Sequence, residues 1–393
     1  MYRKTATSFV LLSFVALSLL ASAIVHAQKE APLDTPANET ETMDAEPMDY
    51  KAMIGELSKP AIEFLLSKQA EDGSYKSPAD PAVTALVATS LMRHGKSPDD
   101  PAVSKAIEYL VGFIKDDGGI YREGSYYRNY ETSVAILCLA QANAGGKYDE
   151  TLEKATEFIK DIQWTVDETA PGDRLADGGS GYGKHGRPDL SNTQYFLDAI
   201  HASGGSGDNH EAIQRALKFV SRCQNLESEH NDTKFPKRIP KGHDEEGGFY
   251  YTPAAGGSSQ AGNTAQGGLR SYGSMTYAGL KSMIYAGVNK EDKRVVAAQK
   301  WIQRHYTLEE NPGMGAAGLY YYYHTFAKSL NALGDDKLVD ADGVSHDWRA
   351  ELIETFKKTQ RDDGSWINTQ DRWYEGDPVL VTCYALLGMS HCQ

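Results

Sequence analysis

Three scarcities bound this chain before any motif is read. Its 393 residues hold four cysteines, Cys138, Cys223, Cys383 and Cys392. No two of them sit at CxxC spacing, so a cysteine zinc cage has no support. Cys138 and Cys383 fall inside apolar helical patterns, where a buried free thiol is expected even though export would permit disulfides. Basic charge is also short: 40 Lys and Arg against 54 Asp and Glu leave a formal net charge of -14. Without a basic stripe to neutralise phosphates, nucleic acid is not expected as a partner. Long apolar runs are the third scarcity. One exists, over residues 9–24, and no later segment is apolar for long enough to span a bilayer.

That single run has a recognisable setting. Arg3 and Lys4 precede it, and the small residues Ala21, Ala23 and Ala27 close it. This is the layout of a secretory signal peptide over residues 1–27, with cleavage near Ala27; an uncleaved N-terminal anchor is the alternative. No cysteine stands directly after the run, which argues against lipid attachment. The expectation is an exported protein, periplasmic or extracellular, with no membrane span after signal cleavage. Residues 28–50 are acidic, contain proline and are poor in large apolar side chains, which reads as a disordered linker. Residues 51–393 remain for a folded core.

What is abundant there is repetition. "PAIEFLLSKQAEDGSY" is followed by "DPAVTALVATSLMRHG", and "ELIETFKKTQRDDGSW" by "DPVLVTCYALLGMS". Four further segments follow the same order of helix, glycine-containing turn, aromatic residue and helix, with longer loops in the third to fifth, so the chain reads as six helix pairs. The first helix of a pair is amphipathic. In the first unit Ala61, Phe64 and Leu65 share one face, while Glu63 and Lys68 share the other. The second helix is apolar on most sides, as Val83, Leu86, Val87 and Leu91 show. An outer ring of amphipathic helices around an inner ring of buried ones satisfies both patterns. A plain solenoid, the alternative, would expose one face of the second helices.

The Gln, Asp-Gly and aromatic residues after the outer helices resemble the repeat of the prenyltransferase and squalene-cyclase (terpenoid cyclase) family, over essentially the whole chain after residue 51. The resemblance implies an all-α (α/α)6 toroid. It also implies a structural role for Gln69, Gln163, Gln224, Gln360 and Trp366, the glutamines bonding the backbone of a neighbouring unit. The physical reading of the turn is independent of this: Gly lets the chain leave the helix through a left-handed conformation.

In a toroid the inner-helix N-termini face one mouth. Residues there are Asp80, Tyr130, Glu131, Asp189, Asn192, Tyr272, Ser274, Tyr321, His324, Asp377 and Thr382. Tyr130, Asn192, Tyr272, Tyr321 and Thr382 are the candidate substrate contacts, and Glu131, Asp189, Asp377 and His324 the candidate catalytic groups. Asp80 and Asp377 precede proline, so helix capping is a competing role for both, and for Asp189. The patch "GLYYYYHTF" presents only one or two rings to any one side of a helix, and the rest are expected to pack between helices.

The family's chemistry is missing where the resemblance would put it. Neither a DxDD nor a DCTAE acid motif occurs, and "RNYETSV" supplies only Glu131. "VTCYALLGMS" is similar to the family's "HTCYCLSGL" segment, but Val381 stands at the zinc-ligand histidine, and "SYGSMTY" holds neither of the other two ligands. His324 lies one repeat early. No metal or other cofactor is expected. The segment 225–270 precedes an inner helix and reads as a lid over the mouth or a mobile insertion; its His230, Asp232, His243 and Asp244 have no recognised ligand spacing. The expectation is therefore a terpenoid-cyclase-like exported protein that binds a terpenoid, lipid or glycan in an aromatic mouth. Two alternatives stand: an enzyme using mouth carboxylates on a terpenoid or polysaccharide, or a cell-envelope scaffold.

Overall fold

The computed structural model describes residues 48–166, 173–183, 186–204 and 209–393. The expected signal peptide, residues 1–27, and residues 28–47 of the expected linker lie outside them. Asp49 and Tyr50, read as the linker's end, are the cap and first residue of the first helix, where Asp49 Oδ1 accepts from the Ala52 N–H at 3.0 Å.

The described chain is mostly helical, with little sheet. Its odd-numbered helices are α1 (Tyr50–Lys68), α3 (Pro101–Val111), α5 (Asp149–Asp161), α7 (His210–Arg222), α9 (Lys293–Arg304) and α11 (Trp348–Thr359). The even-numbered ones are α2 (Ala82–Arg93), α4 (Arg128–Gln141), α6 (Leu190–Ala202), α8 (Gly273–Tyr285), α10 (Leu319–Leu333) and α12 (Pro378–Met389). A two-stranded ribbon, β1 (Leu338–Val339) with β2 (Ser345–His346), separates α10 from α11.

The two helix sets differ as their sequences require. In α7 the buried residues Ala212, Ala216, Leu217, Phe219 and Val220 form one stripe, and the charged residues lie off it. In α12 every residue from Val379 to Met389 is buried, and in α2 every residue from Ala82 to Met92. The packing order follows. Helix α2 packs on α4, α4 on α6, α6 on α8, α8 on α10, α10 on α12, and α12 returns to α2. The buried helices thus make a closed cycle, and α1 packs on α11 to join the last unit to the first.

Two contacts recur at the joints. Gln69 Nε2 donates to the carbonyls of Gly73 and of Ala102 in α3, at 3.1 and 2.8 Å. Gln163 bonds Gly178 and Ala212, Gln224 bonds Gly247 and Arg294, and Gln360 bonds Gly364 and Leu57. Each amide ties its own turn to the next outer helix, and Gln360 closes the cycle across 303 residues of sequence. The turn glycine is required by close approach. Gly178 (φ 80°) lies so near α7 that a Cβ would fall 2.0 Å from the Arg215 carbonyl oxygen, and one on Gly364 (φ 83°) would fall 2.5 Å from that of Pro60.

The second contact is a threonine. Two residues after the turn glycine, the backbone N–H of Tyr75, Ile120, Ser180, Phe249 or Trp366 donates to the hydroxyl of Thr84, Thr132, Thr193, Thr276 or Thr382 on the following inner helix, at 3.0–3.2 Å. The fifth unit departs from this plan. There Asn311 bonds the Ser274 N–H and the Ala317 carbonyl. In the second unit Ile114 stands where the first, third, fourth and sixth have Gln. The four cysteines are buried and free.

Candidate functional site

The starts of all six buried helices border one cavity of about 380 Å³, within the roughly 300–1,000 Å³ range of small-molecule sites. Val83 comes from α2 and Asp80 from the turn before it, Tyr130 and Glu131 from α4, Asn192 and Tyr195 from α6, Ser274 and Met275 from α8. Tyr321 comes from α10, and Leu380 and Tyr384 from α12. Tyr272, the cap residue of α8, also faces it. Loops add Tyr126, Tyr127, Tyr182, Tyr251, Trp373 and Tyr374, so the lining carries ten tyrosines and one tryptophan. These rings brace one another edge to face: Tyr130 on Tyr195 at 5.1 Å and Tyr127 on Tyr182 at 4.9 Å between centroids. Tyr126, Tyr127, Trp373 and Tyr374 are the exposed rim.

Of the residues singled out from sequence, Tyr130, Glu131, Asn192, Tyr272 and Tyr321 line this cavity together. Asp189, Asp377, His324 and Thr382 are not among its lining residues. Asp189 caps α6, taking the Asn192 N–H at 2.9 Å and the Asn192 side-chain amide on both oxygens. Asp377 caps α12 through the Val379 N–H at 2.9 Å and takes the Ser77 hydroxyl at 2.9 Å. Thr382 is occupied by Trp366. His324 lies buried along α10, its ring 6.0 Å from those of Tyr384 and His391.

The lining carboxylates act as acceptors. Asp80 takes the Ser77 N–H, the Thr84 N–H and the Thr84 hydroxyl. Glu131 takes the Arg122 N–H at 3.1 Å and the Ser125 hydroxyl at 3.0 Å. Glu375, unremarked in the sequence, is buried and takes the Tyr320 and Tyr321 N–H groups and the Asn368 amide. Burial pushes the carboxyls of Asp80, Glu131 and Glu375 above their ordinary range, and the hydrogen bonds they accept work in the opposite sense. Glu123, on the rim, pairs with Lys115 at 3.0 Å.

Segment 225–270 is packed as a wall. Phe235, Tyr250 and Leu269 form a small core of their own, and Glu245 takes the Ser271 N–H at 2.6 Å and pairs with Arg270 at 2.8 Å. Its Tyr251 and Gln260 reach the cavity. Among the described residues no three of His, Cys, Asp and Glu converge as metal ligands. His243 accepts from the Glu245 N–H, and Asp244 lies 3.1 Å from His305.

One charged cluster escaped the sequence reading. Deeper along the inner helices, Lys281 of α8 and Lys328 of α10 both donate to Asp198 Oδ2 of α6 at 2.7 Å, all three buried. Burial raises the Asp198 carboxyl, and the two ammonium groups more than offset it and hold it below its usual range. Burial lowers both lysines, Lys281 to about 7. The signal was present: "YFLDAI", "GLKSM" and "FAKSL" each set one charge inside an otherwise buried helix, which requires a partner.

This mostly helical chain, with its closed cycle of buried helices, is similar in fold to type II terpene cyclases. Three solved structures carry that likeness. An apo variant of type II terpene cyclase MstE from Scytonema aligns with a TM-score of 0.51 at 13% identity, over 87% of this chain and 97% of that one. A second MstE variant, in complex with geranylgeranyl dihydroxybenzoate, gives 0.51 at 12% identity, over 87% and 98%. A protein from Actinoplanes gives 0.51 at 14% identity, over 88% and 99%. No protein-family model matches the chain, and no curated protein matches it.

Proposed function

We propose that the closed cycle is an (α/α)6 toroid whose mouth binds an elongated, mainly apolar ligand of the prenyl or lipid class, in an exported protein. The observation that carries this reading is the cavity lining, ten tyrosines and one tryptophan on helix starts and adjoining loops. Aromatic faces hold apolar chains with little entropic cost, and their hydroxyls orient a polar end. The MstE variant bound to geranylgeranyl dihydroxybenzoate lends a ligand class by likeness of fold. Glycans also stack on such faces and are the second ligand class.

Binding without protonation chemistry draws on the hydrogen bonds that the acids accept. Asp80, Glu131 and Glu375 each accept at least two hydrogen bonds. A carboxyl so engaged gives up acceptor bonds when it takes a proton. The enzyme reading draws on burial, which moves the same carboxyls toward the protonated form.

The test is titration with geranylgeraniol and with a soluble oligosaccharide, with product analysis by mass spectrometry. The binding reading expects geranylgeraniol to bind, Tyr272→Ala to weaken it, and Glu131→Ala, Asp189→Ala and Asp377→Ala to retain it. Turnover abolished by one of those acid variants would instead make the protein an enzyme. Failure of both ligand classes would leave the cell-envelope scaffold. Export is tested by fractionation of cells expressing the full chain.

A further inference from the structure

We propose that the deep end of the cavity is a donor-only subsite, where Tyr321 and Tyr195 take an acceptor-only oxygen group of the ligand, a carboxylate in first place. This rests on the cavity reading above and names the ligand's polar end.

The argument starts at the buried charges. Lys281 donates to Gln194 Oε1 at 2.6 Å and to Asp198 Oδ2 at 2.7 Å. An ammonium has no acceptor, so Gln194 must turn its carbonyl toward Lys281. Its amide nitrogen is thereby aimed at the Tyr321 hydroxyl, to which it donates. A phenol that accepts in this bond still has its own proton to give. Among the described residues nothing takes that proton. The cavity's free acceptor, Asn192 Oδ1, is unpaired, and so are Asp198 Oδ1 and His324 Nδ1.

Tyr195 supplies a second such proton. It follows Gln194 on α6, lines the same cavity and is 4% exposed, and its hydroxyl has no partner. The neighbouring phenol is that of Tyr130, in a contact looser than a hydrogen bond. Two phenolic protons, one on the buried Tyr195 and one on the half-buried Tyr321, therefore lack an acceptor. A ligand that supplies one recovers the cost of leaving them unpaired.

Hydrogen-bond type selects among acceptors. A carboxylate only accepts, an alcohol accepts and donates, and an ammonium only donates, so two phenols with protons to give favour them in that order. Charge does not add to this order: Asp80, Glu131 and Glu375 line the cavity, Asp189 and Asp198 are the charged groups that bear on the Tyr321 phenol, and burial brings Lys281 down to about 7. The aromatic lining alone predicts the reverse, since ring faces attract ammonium groups, and the two forces therefore separate experimentally.

Farnesoic acid, farnesol and farnesylamine share one chain and differ at its end. Their binding to the full chain at pH 7 is measured by calorimetry and by quenching of tryptophan fluorescence. The acid is expected to bind about tenfold tighter than the amine or more, with the alcohol between. Tyr321→Phe leaves the buried Gln194 amide without its acceptor, so the melting temperature should fall, and the variant should abolish the preference for the acid while farnesol binding persists. Tyr195→Phe, which leaves the Gln194 bond intact, should reduce it. Equal binding of the three, preference for the amine, or an acid preference that survives both variants would overturn the subsite while leaving the cavity reading standing. Binding of none would overturn the cavity reading and the subsite with it.

Discussion

The Thr382 hydroxyl accepts a hydrogen bond from the backbone N–H of Trp366 at 3.0 Å, and both groups are fully buried. Four other units repeat the bond, at Thr84, Thr132, Thr193 and Thr276. Thr382 is thus the sixth unit's copy of a joint. Thr382→Val keeps the shape and removes the acceptor, leaving a buried N–H unpaired. The expected loss is about 1–3 kcal/mol, read from urea unfolding, with ligand affinity unchanged. Thr84→Val should behave alike. A Thr382→Val protein of native stability and lost affinity would restore this residue to the site.

Gly364 and Gly343 offer a matched pair. Both have φ of 83°. A Cβ on Gly343 meets open space, whereas one on Gly364 meets the Pro60 carbonyl oxygen at 2.5 Å. Alanine at either position incurs the left-handed cost, about 1–2 kcal/mol. Only Gly364→Ala must also push α1 away and strain the Gln360 bond to Leu57 that closes the cycle. Gly364→Ala should therefore lower the melting temperature well beyond Gly343→Ala. Equal losses would mean that the contact between the last and first units contributes little.

These joints explain what was legible in advance. The glutamines stand at one place, four residues before the turn glycine in the short units, so Gln69 and Gln360 announce each other. The threonines do not. They follow their bonded N–H by 9, 12, 13, 16 or 27 residues, because the loops between differ, and no fixed spacing marks them. Helix type was legible because burial on one side or on all sides leaves different periodicities. Tyr130, Glu131, Asn192, Tyr272 and Tyr321 were reachable because they sit at helix starts that face one way. Glu375, Trp373 and Tyr374 were not, since they lie in a loop whose course the sequence pattern does not dictate. Asp198 and its lysines lie 83 and 130 residues apart and meet only once the helices pack.

Trp373 and Tyr374 carry a second testable tension. Both hold left-handed backbone, at φ 59° and 65°, and both are exposed at the cavity rim, 43% and 50%. An aromatic residue gains nothing from that conformation, which costs about 1–2 kcal/mol. Strain kept at an exposed ring points to a role for the ring. Trp373→Asn supplies a residue that tolerates the conformation. Stability should hold or rise by up to about 1 kcal/mol, while geranylgeraniol affinity falls. A fall in stability with unchanged affinity would make Trp373 a packing residue.

The Lys281–Asp198–Lys328 cluster predicts a pH dependence with a definite sign. Burial takes Lys281 from 10.5 to about 7, and Lys328 moves in the same direction. Between pH 7 and 10.5 the unfolded chain holds a proton that the folded chain has released. Unfolding therefore binds protons, and this term raises stability with pH, by at most about 1.4 kcal/mol per unit for one group. The buried tyrosines oppose it at the alkaline end. Burial pushes Tyr195, Tyr272 and Tyr277 well above 10, so the folded chain keeps protons that the unfolded chain loses there. The lysine term is thus best read at pH 7, 8 and 9. His324 and His391, held far below 6.5 by burial, stay neutral throughout that window. Lys281→Met removes the titrating ammonium and leaves Asp198 paired with Lys328. Urea unfolding of the two proteins should give a difference that moves in favour of the native chain from pH 7 to 9. A difference constant over those three pH values would mean that Lys281 keeps its proton in the fold, and that the cluster carries a full positive surplus at neutral pH.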